Sequence, residues 1–303
     1  MAAPELPAAP VLDDPRLVER VARLRLVART VVESVLQGRH RSAYKGFSLE
    51  FAQHREYSRG DELRHLDWKV FARSDRLFVK QFEEETNLRA LLCLDASGSM
   101  RFGGPGRESK SDCSRRLAAA LAYLLLAQSD AVGLAVCDSD LRAFVPARSA
   151  RSHWPNLLRV LAQAEPRGAT RLPQVLHDLA SRMGRRGLLL VVSDLFFSPA
   201  ELAEALAHLH HQRHEVILFQ VLDPLEEEFP FRETMEFRSM EHPAQRVKLD
   251  AARARGLYLE RFAAFRRDLG AACHRFKYDL CELRTGAPLD AALAHFLRRR
   301  QEH

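Results

Sequence analysis

Ala90-Leu91-Leu92-Cys93-Leu94-Asp95-Ala96-Ser97-Gly98-Ser99 is the stretch on which the reading of this chain turns. Five apolar residues in unbroken succession read as a strand buried on both faces, as strands of a parallel sheet are. The polar cluster begins where that strand ends. In open parallel sheets, ligands sit in the crevice outside the carboxyl ends of the strands, where strand order reverses. An Asp-x-Ser-x-Ser string at that place is therefore a candidate site before anything else is known.

Two more polar clusters fall at similar places. Gly168-Ala169-Thr170 lies on a loop before a helix expected near 171–183. Asp194 directly follows the apolar run Leu188-Leu189-Leu190-Val191-Val192-Ser193. Together Asp95, Ser97, Ser99, Thr170 and Asp194 offer two carboxylates and three hydroxyls, all hard oxygen donors. That set suits Mg²⁺, or Mn²⁺ or Ca²⁺, which take oxygen ligands and keep waters or a partner's ligand in the remaining positions. A carboxylate from another molecule is the natural occupant of such an open position.

Outward from this core, strands and helices alternate. A helix is expected near 114–129, strands at 132–136 and 141–145 joined by Asp138-Ser139-Asp140, and helices near 152–163, 171–183 and 199–211. A strand follows at 216–221. The tail adds strand-like stretches at 234–240 and 245–249, a helix carrying Tyr258, Phe262, Phe265, Leu269 and Phe276 on one side, a strand at 278–283 and a helix at 288–300. This order predicts an α/β fold, doubly wound around a mostly parallel sheet. Upstream, 15–37 has apolar positions at helical spacing and a wide apolar face, with Gly38 as its stop. The expected division is 1–37, with Ala/Pro-rich residues 1–12 read as a mobile lead-in to this helix; an accessory module at 38–85; and the α/β domain at 86–303.

The accessory module carries Tyr57-x-x-Gly60-Asp61-x-x-Arg64-x-x-Asp67-Trp68-x-x-x-Ala72-Arg73. Ser58-Arg59-Gly60 is turn chemistry, and Asp61 suits the N-cap of a short helix. Asp61, Arg64, Asp67 and Arg73 read as a polar network fixing the module, with a partner surface as the other reading, and Trp68 as a packing anchor. The strand expected at 77–82 leads into the next domain.

Here two resemblances join. Asp95-x-Ser97-x-Ser99 with a later Thr170 and Asp194 resembles the metal-ion-dependent adhesion site of von Willebrand factor A domains. In that family the serines and threonine approach the metal, and the aspartates bind it directly or through water. The Gly-Asp…Asp-Trp…Ala-Arg string before such a domain is similar to the bacterial proteins called domain of unknown function 58, and the likeness spans roughly 38–300. It implies a von Willebrand factor A-like fold and a non-enzymatic, metal-dependent adaptor. It also implies a protein partner presenting an acidic residue, with a MoxR-type AAA+ ATPase working in assembly or maturation of a client as the expected partner. Many relatives carry N-terminal membrane helices, which 1–37 does not resemble, and this weakens any carry-over of membrane roles.

Competing readings are set by what the residues lack. Ser97 and Ser99 stand in no nucleophile-elbow pattern, and Gly103-Gly104-Pro105-Gly106 has no following Lys-Ser/Thr, so it reads as a mobile loop near the site and not a phosphate cradle. A metal-dependent hydrolase using Asp95 and Asp194 lacks a visible general base. The formal net charge is +6, and residues 245–300 hold 13 Lys+Arg against 6 Asp+Glu, the basis for a nucleic-acid-binding alternative. No aromatic–basic interleaving supports that alternative. His208, His210, His211 and His214 read as a solvated helix face. Five cysteines without zinc-type spacing point to a reducing compartment. The longest apolar stretch, Leu117 to Ala127, is about half of the ~20 residues a spanning helix needs. The expected location is the cytoplasm.

Overall fold

The buried runs identified above lie side by side at the centre of a six-stranded sheet. The structure is a computed structural model describing residues 15–40, 53–56, 78–81, 88–184 and 186–299. The chain divides into two units, Arg39–Asn87 and a larger one made of Met1–Gly38 with Leu88–His303. In the smaller unit, β1 (Gln53–Glu56) pairs antiparallel with β2 (Phe78–Gln81). β2 is the strand expected at 77–82. β1 was not foreseen, because Gln-His-Arg-Glu has no apolar alternation to read.

The larger unit contains all but the last two residues of α1 (Pro15–His40), then β3 (Arg89–Asp95), α2 (Lys110–Ala127), β4 (Ala131–Cys137), β5 (Leu141–Arg148), α3 (Trp154–Gln163), α4 (Leu172–Met183) and β6 (Leu188–Ser193). It continues with α5 (Pro199–His211), β7 (Glu215–Leu222), the short α6 (Pro224–Glu228), β8 (Thr234–Arg238), β9 (Arg246–Asp250), α7 (Ala251–Arg275), β10 (Asp279–Arg284) and α8 (Asp290–Arg299). The main sheet runs β10-β7-β6-β3-β4-β5, parallel except for β5 at one edge. Strand order reverses between β3 and β6. That is the switch point of a doubly wound sheet, and it lies between the strands that carry Asp95 and Asp194.

Period-2 alternation sends the side chains of β3 to opposite faces. Ala90, Leu92 and Leu94 pack with α1, α2, α3 and α8, while Leu91 and Cys93 pack with α4, α5 and α7. Each fully buried leucine of this kind contributes about 1.5–3 kcal/mol. α1 belongs to the first layer through Ala28 and Val32, and Arg20 pairs with Glu165. The alanines of α2, Ala118 to Ala120 and Ala122, are fully buried and let neighbouring helices and sheet approach closely.

Several boundaries differ from the sequence reading. α2 begins about one turn before residue 114, because Ser109 caps it by accepting from the Asp112 amide and Lys110 is drawn into the interior. The histidines near 210 are not one solvated face: His208 Nδ1 lies 3.1 Å from His177 Nδ1, and His214 is buried with Nε2 3.3 Å from the Ala180 carbonyl oxygen. All five cysteines are free, and the Cys93 and Cys137 sulfurs meet 3.7 Å apart between β3 and β4. No helix among the described residues is long and apolar enough to cross a membrane.

Candidate metal-ion site

Register places the site. Leu94 pairs with Val192 across β3 and β6, so Asp95 comes level with Ser193, whose hydroxyl donates to Asp95 Oδ2 at 2.6 Å. Beyond β3 the chain turns at once: the Ser97 amide donates to Asp95 Oδ1 at 2.8 Å, and a 3-10 turn covers Gly98–Arg101. Ser97 and Ser99 bring their Oγ atoms to 3.1 Å of each other. The loop before α4 is stitched onto this turn, with the Gly98 amide donating to the Gly168 carbonyl (2.7 Å) and the Arg167 amide to the Ala96 carbonyl (2.9 Å). Gly168 has φ +67°, a left-handed turn that favours glycine. This loop delivers the Thr170 hydroxyl to 3.5 Å from Asp95 Oδ2.

Four of the five expected residues thus meet around one carboxylate. The fifth, Asp194, stands at the end of β6 but turns its charge elsewhere. Asp194 Oδ2 accepts from Lys110 Nζ at 2.8 Å, and Oδ1 accepts from the Phe196 amide at 3.3 Å. Lys110 also donates to Glu226 Oε1 at 2.6 Å, and its ammonium faces the Phe196 ring with 4.9 Å to the centroid. The Lys110 side chain is 0% exposed and that of Asp194 1%. Burial works against the charge on Lys110, but Asp194 and Glu226 outweigh it and hold its pKa above the ordinary value. Glu226 is itself held in place: its other oxygen accepts from the Asp223 amide at 2.9 Å in the capping box of α6.

Asp95 has no such cation. It is buried, and no ion pair from Lys or Arg reaches it among the described residues. Burial first, and the nearby Asp194 second, push its pKa up to about 7 despite the hydrogen bonds from Ser193 and Ser97. Asp95, Asp194 and Glu226, with Glu241 beside Thr170, outnumber the single ammonium of Lys110, and the surplus negative charge attracts a dication. Among the described residues no three His, Cys, Asp or Glu side chains gather for a metal, so the fit rests on hydroxyls joining two carboxylates. Oxygen-only donors of this kind suit a hard dication.

Lys110, Glu226, Ser193 and Glu241, whose Oε2 accepts from the Thr170 amide at 3.1 Å, were not picked out from the sequence. Only Ser193, next to Asp194 at a strand end, carried a readable signal. The glycine-rich 103–106 stretch, expected as a mobile loop, is tied down by the Gly104 amide donating to Asp223 Oδ2 at 3.0 Å and by Arg107 pairing with Asp223. Tyr57, Gly60, Asp61, Arg64, Asp67, Trp68 and Arg73 lie outside the described residues.

Fold and motif together define a von Willebrand factor A-like α/β domain. The chain belongs to the family described as "Protein of unknown function DUF58", which it matches over residues 53–267. It is 32% identical over 222 residues to the uncharacterized protein Rv1480 of Mycobacterium tuberculosis and, equally, to Mb1516 of Mycobacterium bovis, covering 72% of this chain and 69% of theirs. Among solved structures it is similar to the conserved hypothetical protein BatB from Bacteroides thetaiotaomicron, with TM-score 0.48, 15% identity, and coverage of 71% of this chain and 100% of that one. It is also similar to the SpRpn10 VWA domain, with TM-score 0.41, 10% identity, and coverage of 69% and 94%.

Proposed function

We propose that this chain is a non-enzymatic interaction module whose Asp95, Ser97, Ser99 and Thr170 hold Mg²⁺ or a similar hard dication, with Asp194 acting from further out. The observation that carries this reading is the buried Asp95 carboxylate, surrounded by hydroxyls and, among the described residues, without a protein cation. A cation there supplies the missing charge and keeps a position open to a partner's carboxylate. The cleft over the site holds about 260 Å³ and is lined by Ser99, Phe102, Phe196, Glu226, Ser239, Met240 and Glu241. Room for one or two side chains suits recognition of an acidic residue on a protein surface. The lining offers no histidine as a general base, and Lys110 is committed to two ion pairs.

The family resemblance supports a MoxR-type AAA+ ATPase, or a client on which it works, as the partner. The nucleic-acid alternative loses ground in the tail, where Arg246, Arg253, Arg266 and Arg284 all pair with nearby carboxylates. Binding of a MoxR-type ATPase to the full chain tests the proposal. With Mg²⁺ present a complex is expected; both Asp95→Ala and chelation should weaken it by roughly 30-fold or more. A complex surviving both treatments contradicts the mechanism.

A further inference from the structure

The hairpin of β8 and β9 reaches the site from outside the main sheet. Its tip, residues 239–245, is closed on itself: the Ser239 amide donates to the Gln245 carbonyl at 3.0 Å, the Gln245 amide to the His242 carbonyl at 2.8 Å, and the His242 amide to Ser239 Oγ at 3.0 Å. The tip folds onto the Asp-x-Ser-Gly-Ser turn. The Met240 carbonyl oxygen stands 2.4 Å from where a Cβ on Gly98 would lie, and the Gly168 carbonyl oxygen 2.9 Å from the same point. Only glycine admits both. The motif's glycine is therefore matched to the hairpin as well as to the metal loop.

The close approach brings one carboxylate with it. Glu241 accepts from the amide of Thr170, one of the residues proposed to hold the cation, and shares the cleft wall with Ser99. Among the described residues the two hairpin strands pair only with each other; β8 is anchored by Phe237, which stacks on Phe229 with ring centroids 5.5 Å apart, while β9 is largely exposed, Val247 at 56%. The carboxylate at the tip thus meets the site from an arm outside the main sheet, without being part of the scaffold that carries Asp95 and Thr170.

We propose that Glu241 is this chain's own ligand for the cation held by Asp95, Ser97, Ser99 and Thr170, occupying the position a partner's carboxylate must take. The inference rests on the metal-binding reading above. A tethered carboxylate acts at an effective concentration on the order of millimolar, so an incoming acidic residue has to displace it. The hairpin then sets a threshold: partners that merely present a carboxylate are refused, and those that also engage the exposed hairpin are admitted.

Mn²⁺ alone, followed by acetate, tests this on the full chain by calorimetry and by water-proton relaxation of the bound ion. Glu241→Gln keeps the size of the side chain and removes its charge. The expected result is Mn²⁺ binding about tenfold weaker than wild type, about one more exchangeable water on the bound ion, and acetate binding about tenfold tighter. Asp95→Ala, run in parallel, is expected to abolish Mn²⁺ binding. Mn²⁺ binding that needs Asp95, yet shows the same affinity, water number and acetate response in Glu241→Gln, overturns this inference and leaves the metal reading standing. A folded wild type that binds no Mn²⁺, or binding indifferent to Asp95→Ala, overturns both.

Discussion

Lys110→Met is expected to cost about 3–5 kcal/mol of folding stability in chelator-treated protein, read from urea unfolding. The substitution nearly preserves volume, so the loss reports charge and not a cavity. Lys110 holds two carboxylates that cannot reach bulk water freely, Asp194 at 2.8 Å and Glu226 at 2.6 Å. Without the ammonium, Asp194 is left buried near Asp95 and Glu226 partly buried, with no countercharge among the groups that now hold them. Removing one partner of a buried ion pair is far more costly than replacing the pair. The double variant Lys110→Met/Glu226→Gln is accordingly expected to recover part of the loss, because one stranded charge is gone. Saturating Mg²⁺ should recover part of it too, by binding only the folded state. A loss below about 1 kcal/mol would mean that the cluster is not held by this lysine.

The second large effect is on pH. With the Asp95 pKa pushed up to about 7 by burial and by Asp194, a proton competes with any cation for this carboxylate. Mg²⁺ affinity is expected to fall about tenfold between pH 8 and pH 6, with protons released on binding at pH 6. Stability in chelator runs the other way. The folded protein holds the Asp95 proton more tightly than the unfolded chain, so this contribution is present in full below pH 3.8 and is lost as the pH rises to about 7. The loss is on the order of 4 kcal/mol. Asp95→Asn should therefore raise the Tm of the chelated protein at pH 8 and have little effect near pH 4. An Asp95→Asn variant less stable than wild type at pH 8 would contradict this charge assignment. Stability given up at one buried carboxylate is the expected cost of a site built for a cation.

What could be read in advance divides along physical lines. The central strands were legible because burial on both faces leaves an unbroken apolar run, and Leu188–Ser193 is found where the run predicts it. Asp95, Ser97, Ser99 and Thr170 were legible because strand ends and loops at a switch point are where a doubly wound sheet exposes chemistry. Lys110 was not. A lysine at the start of an amphipathic helix reads as surface, and only the meeting of α2, β6 and α6 gives its ammonium one buried and one partly buried partner. Glu241 was hidden for the same reason: 71 residues separate it from Thr170, and nothing local marks its hairpin as folding over the site. Asp194 was found in place but with its carboxylate turned toward Lys110, a choice set by a neighbour the reading had not identified.

Binding of a divalent cation by Asp95 and its surrounding hydroxyls is measured by a calorimetric Mg²⁺ titration at pH 8, comparing wild type with Asp95→Ala/Ser97→Ala. Saturable binding to a single site in wild type, absent from a variant that remains folded, is the expected result. A folded wild type that binds no Mg²⁺, or a variant that binds it equally well, would contradict it.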